Sequence, residues 1–178
     1  MPATRRVMLI RHAEEPDKDA GIQGVDERGH PDQDALSVRG WQRAGALARL
    51  FAPHGGNGSH HKLLAPPVAI FAATDPWKSH RPLCTVQPLA RLLGIHVDTR
   101  FGSEGGVTEL LTAVLSCRGP VLLCWRHQAM ADIAQALCGT RGARRWPEGR
   151  YDLVWVFERV GESWQLTEVP QRVLEGDG

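Results

Sequence analysis

Two short apolar runs in this sequence stop at the same dipeptide. Val7-Met8-Leu9-Ile10 ends at Arg11-His12, and Val121–Trp125 ends at Arg126-His127. A third run, Val68–Ala73, leads a few residues later into Ser79-His80-Arg81. A lone His at a strand end is more often a hydrogen-bonded structural residue than a catalyst. Two Arg-His pairs at equivalent positions make a shared site the better reading. Two imidazoles among guanidiniums suit phosphoryl transfer. A neutral imidazole nitrogen is a competent nucleophile near neutral pH. Guanidiniums match phosphoryl oxygens in pairs and offset the charge that spreads over them in the transition state. The second His can donate to a phosphoryl oxygen, and a helix opening near Gln128 adds backbone donors and a favourable dipole for an anion.

The flanking patterns supply the elements that must hold these residues. Ser37 reads as the N-cap of a helix with Trp41, Ala44, Leu47, Ala48 and Phe51 on one face. A second helix follows Ser79, with Leu83, Val86, Leu89, Ala90 and Leu93 inward and Gly94 as its stop. Pro88 within it weakens the helix reading or predicts a kink. Ile95–Val97 reads as a short strand and Gly102–Gly106 as a turn. Val107, Leu110, Leu111 and Val114 mark a third helix, and Met130, Ile133, Ala134 and Leu137 a fourth, stopped by Gly139. Tyr151–Val160 and Trp164–Val169 flank the turn Gly161-Glu162-Ser163 and predict an antiparallel hairpin. Strands alternating with helices imply an α/β fold: a single domain over residues 1–178, with its core at about 5–170. Its central sheet is mainly parallel, with helices on both faces and the antiparallel hairpin at its C-terminal end. Residues 13–35 and 53–67 read as surface loops. In such sheets ligands sit beyond the carboxyl ends of the strands, where both Arg-His pairs fall.

Composition narrows the partner. The 178 residues carry 21 Lys+Arg and 20 Asp+Glu, a formal net charge of +1, and no apolar run approaches the ~20 residues of a membrane helix. Near-zero net charge gives no global field for nucleic acid or an acidic membrane, so the expected partner is small. The N-terminal run is too short for a signal-peptide core, which predicts a cytoplasmic protein. Charge is uneven along the chain: residues 13–35 hold eight acids against Lys18 and Arg28. Such a loop beside a cationic pocket could screen it against polyanions. Cys84, Cys117, Cys124 and Cys138 lack a metal-type spacing and read as small buried hydrophobes. His54, His60 and His61 read as a polar loop, not a zinc site. The Trp residues at 41, 125, 146, 155 and 164 read as core or sheet-face positions, and Trp77 as a candidate pocket wall.

Taken together, the motifs resemble the histidine phosphatase superfamily, also called phosphoglycerate mutase-like proteins. Its strand running into R-H-G or R-H-A is matched by Val7-Met8-Leu9-Ile10-Arg11-His12-Ala13-Glu14-Glu15-Pro16. The form R-H-A-E-x-P looks like the small phosphatase-type branch and not like the mutases, which carry R-H-G-E. Leu36-Ser37-Val38-Arg39-Gly40 resembles the family's L-[ST]-x-x-G segment, and Arg81-Pro82-Leu83-Cys84-Thr85 keeps the spacing of R-A-x-Q-T. The second His after an apolar strand is matched by His127. The resemblance runs in consistent order over roughly residues 5 to 140.

Carried over by position, it implies that His12 becomes phosphohistidine, that Arg11 and Arg81 clamp the phosphoryl group and that His127 completes the pocket. Gln128 belongs to the phosphate-binding set as the opening of its helix. Arg126 stands where the family has Gly or Ser, and has two readings: a further phosphate contact, or a side chain pointing at solvent. Glu104 lies in the region where many relatives carry the general acid, and reads either as that acid or as a solvated loop carboxylate. The implied function is hydrolysis of a phosphomonoester or phosphoprotein, without metal or other cofactor. Two alternatives are a non-catalytic phosphoanion-binding module on the same fold and a phosphomutase.

Overall fold

The computed structural model describes residues 4–54, 61–75, 79–102, 106–139 and 144–178. Strand β1 (Arg6–Arg11) is followed by two short strands, β2 (Gly24–Val25) and β3 (Leu36–Ser37), and by helix α1 (Val38–Phe51). Then come β4 (Ala69–Ala72), α2 (Arg81–Leu93), β5 (Val97–Asp98), α3 (Val107–Ser116), β6 (Val121–Trp125) and α4 (His127–Cys138). The chain finishes with β7 (Leu153–Val160) and β8 (Ser163–Pro170). The main sheet has six strands in the order β5-β4-β6-β1-β7-β8. Pairings among β5, β4, β6 and β1 are parallel, and β7 and β8 add an antiparallel edge.

Alternation along the strands divides the core into two layers. Val7, Leu9, Phe71, Leu123, Trp125, Trp155 and Phe157 face α3 and α4, which contribute Leu110, Val114, Met130 and Ile133. Met8, Ile10, Ile70, Ala72, Leu122, Cys124 and Val156 face α1 and α2, which contribute Leu47, Phe51, Val86 and Leu89. Central strands buried on both sides read as continuous apolar runs because neither face meets water. Each fully buried Leu-sized side chain contributes about 1.5–3 kcal/mol.

The helix signals hold with small shifts. The Ser37 hydroxyl accepts the Gly40 amide at 3.1 Å and caps α1. Gly94 ends α2 in the left-handed region at φ 65°. Pro88 does not break α2, which continues from Arg81 through Leu93. Helix α4 opens one residue earlier than the Gln128 expectation, with Arg126 as its N-cap residue and His127 in its first turn. β5 also sits one or two residues later than the expected Ile95–Val97. Residues 13–35 are not wholly loop: Gly24–Val25 pairs antiparallel with Leu36–Ser37, and the Trp41 indole donates to the Val25 carbonyl at 2.8 Å. The chain beyond β8 turns inward, with Gln171 buried and the Asp177 carboxylate on Arg43 at 2.8 Å.

Candidate active site

The β1–β6 pairing sets Arg11 beside Trp125, so the two Arg-His exits start from one level of the sheet. The His12 amide donates to the Trp125 carbonyl at 3.0 Å, which extends the ladder by one bond past β1. His12 is only 3% exposed. Its Nδ1 lies 2.8 Å from the Ala13 carbonyl oxygen. A carbonyl can only accept, so Nδ1 carries the proton and Nε2 keeps its lone pair. Burial pushes the imidazole down to about 4, with the Arg11 charge adding to it and the Ala13 carbonyl opposing. His12 is therefore neutral near pH 7.

Helix α2 is fastened to the same turn. The Thr85 hydroxyl accepts the Ala13 amide at 2.8 Å and donates to the Arg81 carbonyl at 2.8 Å. That contact explains the R-x-x-x-T spacing, because the residue four after Arg81 faces the turn that holds His12. α1 approaches from the other side. A Cβ on Gly40 would strike the Glu14 carbonyl oxygen, so Gly40 permits the close approach. The Glu14 carbonyl also accepts the Ser37 amide at 2.9 Å and the Ser37 hydroxyl at 3.0 Å. Ser37 and Gly40 of the Leu36–Gly40 motif thus both serve to fix Glu14.

Glu15 joins the two guanidiniums expected to clamp an anion. Arg11 Nη2 donates to Glu15 Oε1 at 3.0 Å, and Arg81 Nη1 donates to Glu15 Oε2 at 2.8 Å. The other Arg81 nitrogens are held by carbonyls of the acidic segment, Nε by Ala35 at 3.1 Å and Nη2 by Gln33 at 2.8 Å. The Tyr151 hydroxyl accepts from Arg11 Nη2 at 3.0 Å and donates to Glu15 Oε1 at 3.1 Å. The Tyr151 ring lies 4.0 Å from the Arg11 guanidinium carbon and 6.1 Å from the His12 ring. Burial opposes ionisation of Glu15, but the cationic groups around it, from His12 when protonated to Arg81 and Arg11, hold its carboxyl below the usual range.

His127 stands at the N-terminus of α4 with its pKa lowered, first by burial and then by Arg11. Among the described residues, the buried side-chain polar atoms with no hydrogen-bond partner are Arg11 Nε and His127 Nδ1. Both belong to this cluster. Buried polar groups are almost always paired, so these two atoms are the ones left open to a polar ligand.

The remaining sequence candidates divide. Arg126 does not take the solvent-facing orientation; its side chain is 13% exposed. Its Nε donates to Asp75 Oδ2 at 2.9 Å, and its Nη atoms to the hydroxyl and carbonyl of Ser79 at 3.2 and 2.7 Å. It ties the exits of β6 and β4 together just before Arg81, with one bond from each of its three nitrogens. Gln128 is exposed on the first turn of α4. Glu104, His60 and Trp77 lie outside the described residues. Among the described residues no group of three His, Cys, Asp or Glu could hold a metal ion. The four cysteines are free thiols, with Cys84 and Cys124 buried. No helix among the described residues is long and apolar enough to cross a membrane.

Spacing alone does not find Tyr151 or the bridging role of Glu15. The expected strand Tyr151–Val160 starts at Leu153, which leaves Tyr151 ahead of it and facing the site. Tyr151 is 136 residues from Glu15, and no local pattern links them.

No protein-family profile and no curated protein matches the sequence. Solved structures do match its fold. The chain is similar to the alpha-ribazole phosphatase of Shigella flexneri, at 12% identity and a TM-score of 0.60, covering 95% of this chain and 98% of that one. It is also similar to SixA from Agrobacterium tumefaciens, at 20% identity and a TM-score of 0.57, covering 93% and 97%. A third is a histidine-to-alanine variant of the phosphoserine phosphatase from Entamoeba histolytica in complex with phosphoserine. It shows 15% identity and a TM-score of 0.58, covering 96% and 98%. The fold is that of the phosphoglycerate mutase-like histidine phosphatases.

Proposed function

With the histidine phosphatase fold as premise, we propose that this protein is a phosphatase acting on a phosphomonoester or phosphoprotein through a covalent phosphohistidine at His12. The observation that carries this reading is the His12 tautomer. With Nδ1 committed to the Ala13 carbonyl, Nε2 presents a lone pair from a buried, neutral ring. Nε2 attacks phosphorus, the N–P bond forms as the P–O bond to the leaving group breaks, and the leaving oxygen takes up a proton from water. Water then attacks the phosphohistidine, releases inorganic phosphate and restores the imidazole. Arg11 and Arg81 neutralise the non-bridging oxygens, and His127 donates to one of them. Charge neutralisation is thus assigned to guanidiniums, and no step calls for a metal ion. Substrates with good leaving groups need a protein-supplied proton least.

Trapping tests the mechanism. The protein is incubated with a labelled phosphodonor, quenched and mapped. Acid-labile label on His12 is expected, along with its loss in His12→Ala. Normal turnover by a folded His12→Ala protein would overturn the proposal. A second reading, a non-catalytic phosphoanion-binding module, draws on the buried Arg11 Nε that has no partner, a donor an anion can take without any phosphoryl transfer. Release of inorganic phosphate from a panel of phosphoesters separates the two.

A further inference from the structure

The most unusual feature of the site is a carboxylate where an anion is expected. Glu15 Oε1 and Oε2 each take a hydrogen bond from a different guanidinium, Arg11 and Arg81. A phosphoryl group gripped by the same two side chains meets the same nitrogens. Arg11 offers the edge formed by Nε and Nη2. Its Nε is buried without a partner, and its Nη2 is shared between Glu15 and the Tyr151 hydroxyl. A bidentate grip by that edge therefore displaces one of those two contacts, and Glu15, as the anion of the two, is the one in direct competition with an incoming anion. Arg81 is more constrained. Its Nε donates to the Ala35 carbonyl, its Nη2 to the Gln33 carbonyl and its Nη1 to Glu15, so one N–H on each Nη remains, and an anion gripped through Nη1 shares that nitrogen with Glu15.

We propose that Glu15 is a specificity-determining residue: a built-in anion that competes with the phosphoryl group for Arg11 and Arg81 and gives way when that group binds. The proposal rests on the phosphatase reading for the identity of the anion, but not for the competition itself. Glu15 is well placed to yield. Its side chain is 36% exposed while that of Arg11 is 5% exposed, so the carboxylate can move outward and the guanidinium cannot. Glu15 also lines a cleft of about 470 Å³ with Tyr151, Asp17, Lys18 and Ile22, a space that can receive the displaced side chain. After displacement the carboxylate remains close by, since it is anchored four residues from Arg11. Its negative charge then disfavours a dianionic ligand more than a monoanionic one. Glu15 thereby lowers affinity for free phosphate, the product of hydrolysis, and selects on the charge of what enters.

The magnitude follows from occupancy. An internal ligand that holds the seat nine-tenths of the time weakens an external one about tenfold. Calorimetric titration of the wild-type protein, Glu15→Gln and Glu15→Ala with inorganic phosphate and with orthovanadate reads this directly. Both variants are expected to bind each anion about tenfold tighter or better. Equal or weaker binding in the variants, with the fold intact by circular dichroism, overturns the proposal, because Glu15 is then only a brace for the two guanidiniums. Trapping on His12 in the same proteins keeps the two readings apart. Tighter phosphate binding without phosphoryl transfer retains the competition and removes the phosphatase. Transfer to His12 with unchanged phosphate affinity does the reverse.

Discussion

Thr85 accepts the amide hydrogen of Ala13 at 2.8 Å, and this one bond ties α2 to the residue that follows His12. Thr85 is fully buried, so no solvent can replace its hydroxyl. Removing the acceptor leaves the Ala13 amide unsatisfied, at a cost of about 1–3 kcal/mol. Thr85→Val is therefore expected to lower stability by that amount in chemical denaturation. Thr85→Ser, which keeps the oxygen, is expected to recover most of it. Activity is expected to follow the same order, since Arg81 and His12 lose their common tether.

Arg126 is expected to act on the site through its neighbours. Its bonds to Asp75 and Ser79 brace the two strand exits on either side of the site. Arg126→Met is expected to cost about 1–3 kcal/mol in stability, the penalty for leaving hydrogen-bonding groups unpaired. The salt dependence of phosphate binding separates this from direct contact. Removing a direct cationic contact lowers both affinity and its dependence on ionic strength, as expected for Arg81→Met. Arg126→Met is expected to leave the salt dependence unchanged.

These contrasts show which parts of the site a sequence can disclose. Strand ends are legible because Val7–Ile10 and Val121–Trp125 are apolar throughout, and burial on both faces demands that. The Arg81–Thr85 relation is legible because four residues are about one helical turn. The Leu36–Gly40 pattern is legible as a helix start, although its service to Glu14 is not. Long-range partners are different. Arg126 meets Asp75 across 51 residues, and Tyr151 meets Arg11 across 140. Nothing in the local spacing of either residue encodes its partner, because the contact is created by the strand order. The same holds for Arg43, a helix residue only 2% exposed that α1's amphipathic pattern does not mark as special.

Arg43 supports the next prediction. Its guanidinium binds both oxygens of Glu14, the Gln171 side chain and both oxygens of Asp177. Truncating one member of a buried ion pair is strongly destabilising, because it strands the other charge. Arg43→Met is expected to cost about 3–5 kcal/mol and to loosen residues 171–178, readable as faster amide exchange there. Asp177 has an acid signature of its own. Burial works against its ionisation, but the Arg43 hydrogen bond and the Val173 and Leu174 amides bring its pKa down to about 2. A carboxyl with a depressed native pKa stabilises above its unfolded value and loses that contribution as pH falls through the native one. Stability carried by Asp177 is therefore expected to disappear between about pH 4 and pH 2. After allowance for solvent screening the loss is roughly 1–2 kcal/mol, and it should be absent in Asp177→Asn.

His12 makes the opposite use of protonation, because here the native state excludes a proton. The groups facing it are Arg11, Glu15 and Arg81, with the Tyr151 ring 6.1 Å away. Burial is the largest influence, and the native value near 4 lies below the ordinary 6.5. Between those two values the unfolded chain binds a proton that the folded protein refuses, so acid favours unfolding across that window. The penalty grows from nothing above about pH 7 to roughly 3 kcal/mol near pH 4. His12→Gln cannot take up that proton and should show a shallower loss of stability over the same range, measured by urea denaturation at stepped pH. Parallel curves for the two proteins would show that His12 does not carry the effect. Catalysis supplies an independent check on the same equilibrium. Nucleophilic attack requires the unprotonated Nε2, so kcat/KM should hold as pH falls through 6.5, where an ordinary His would already be charging. It should decline only as pH approaches 4, about tenfold per unit below that point.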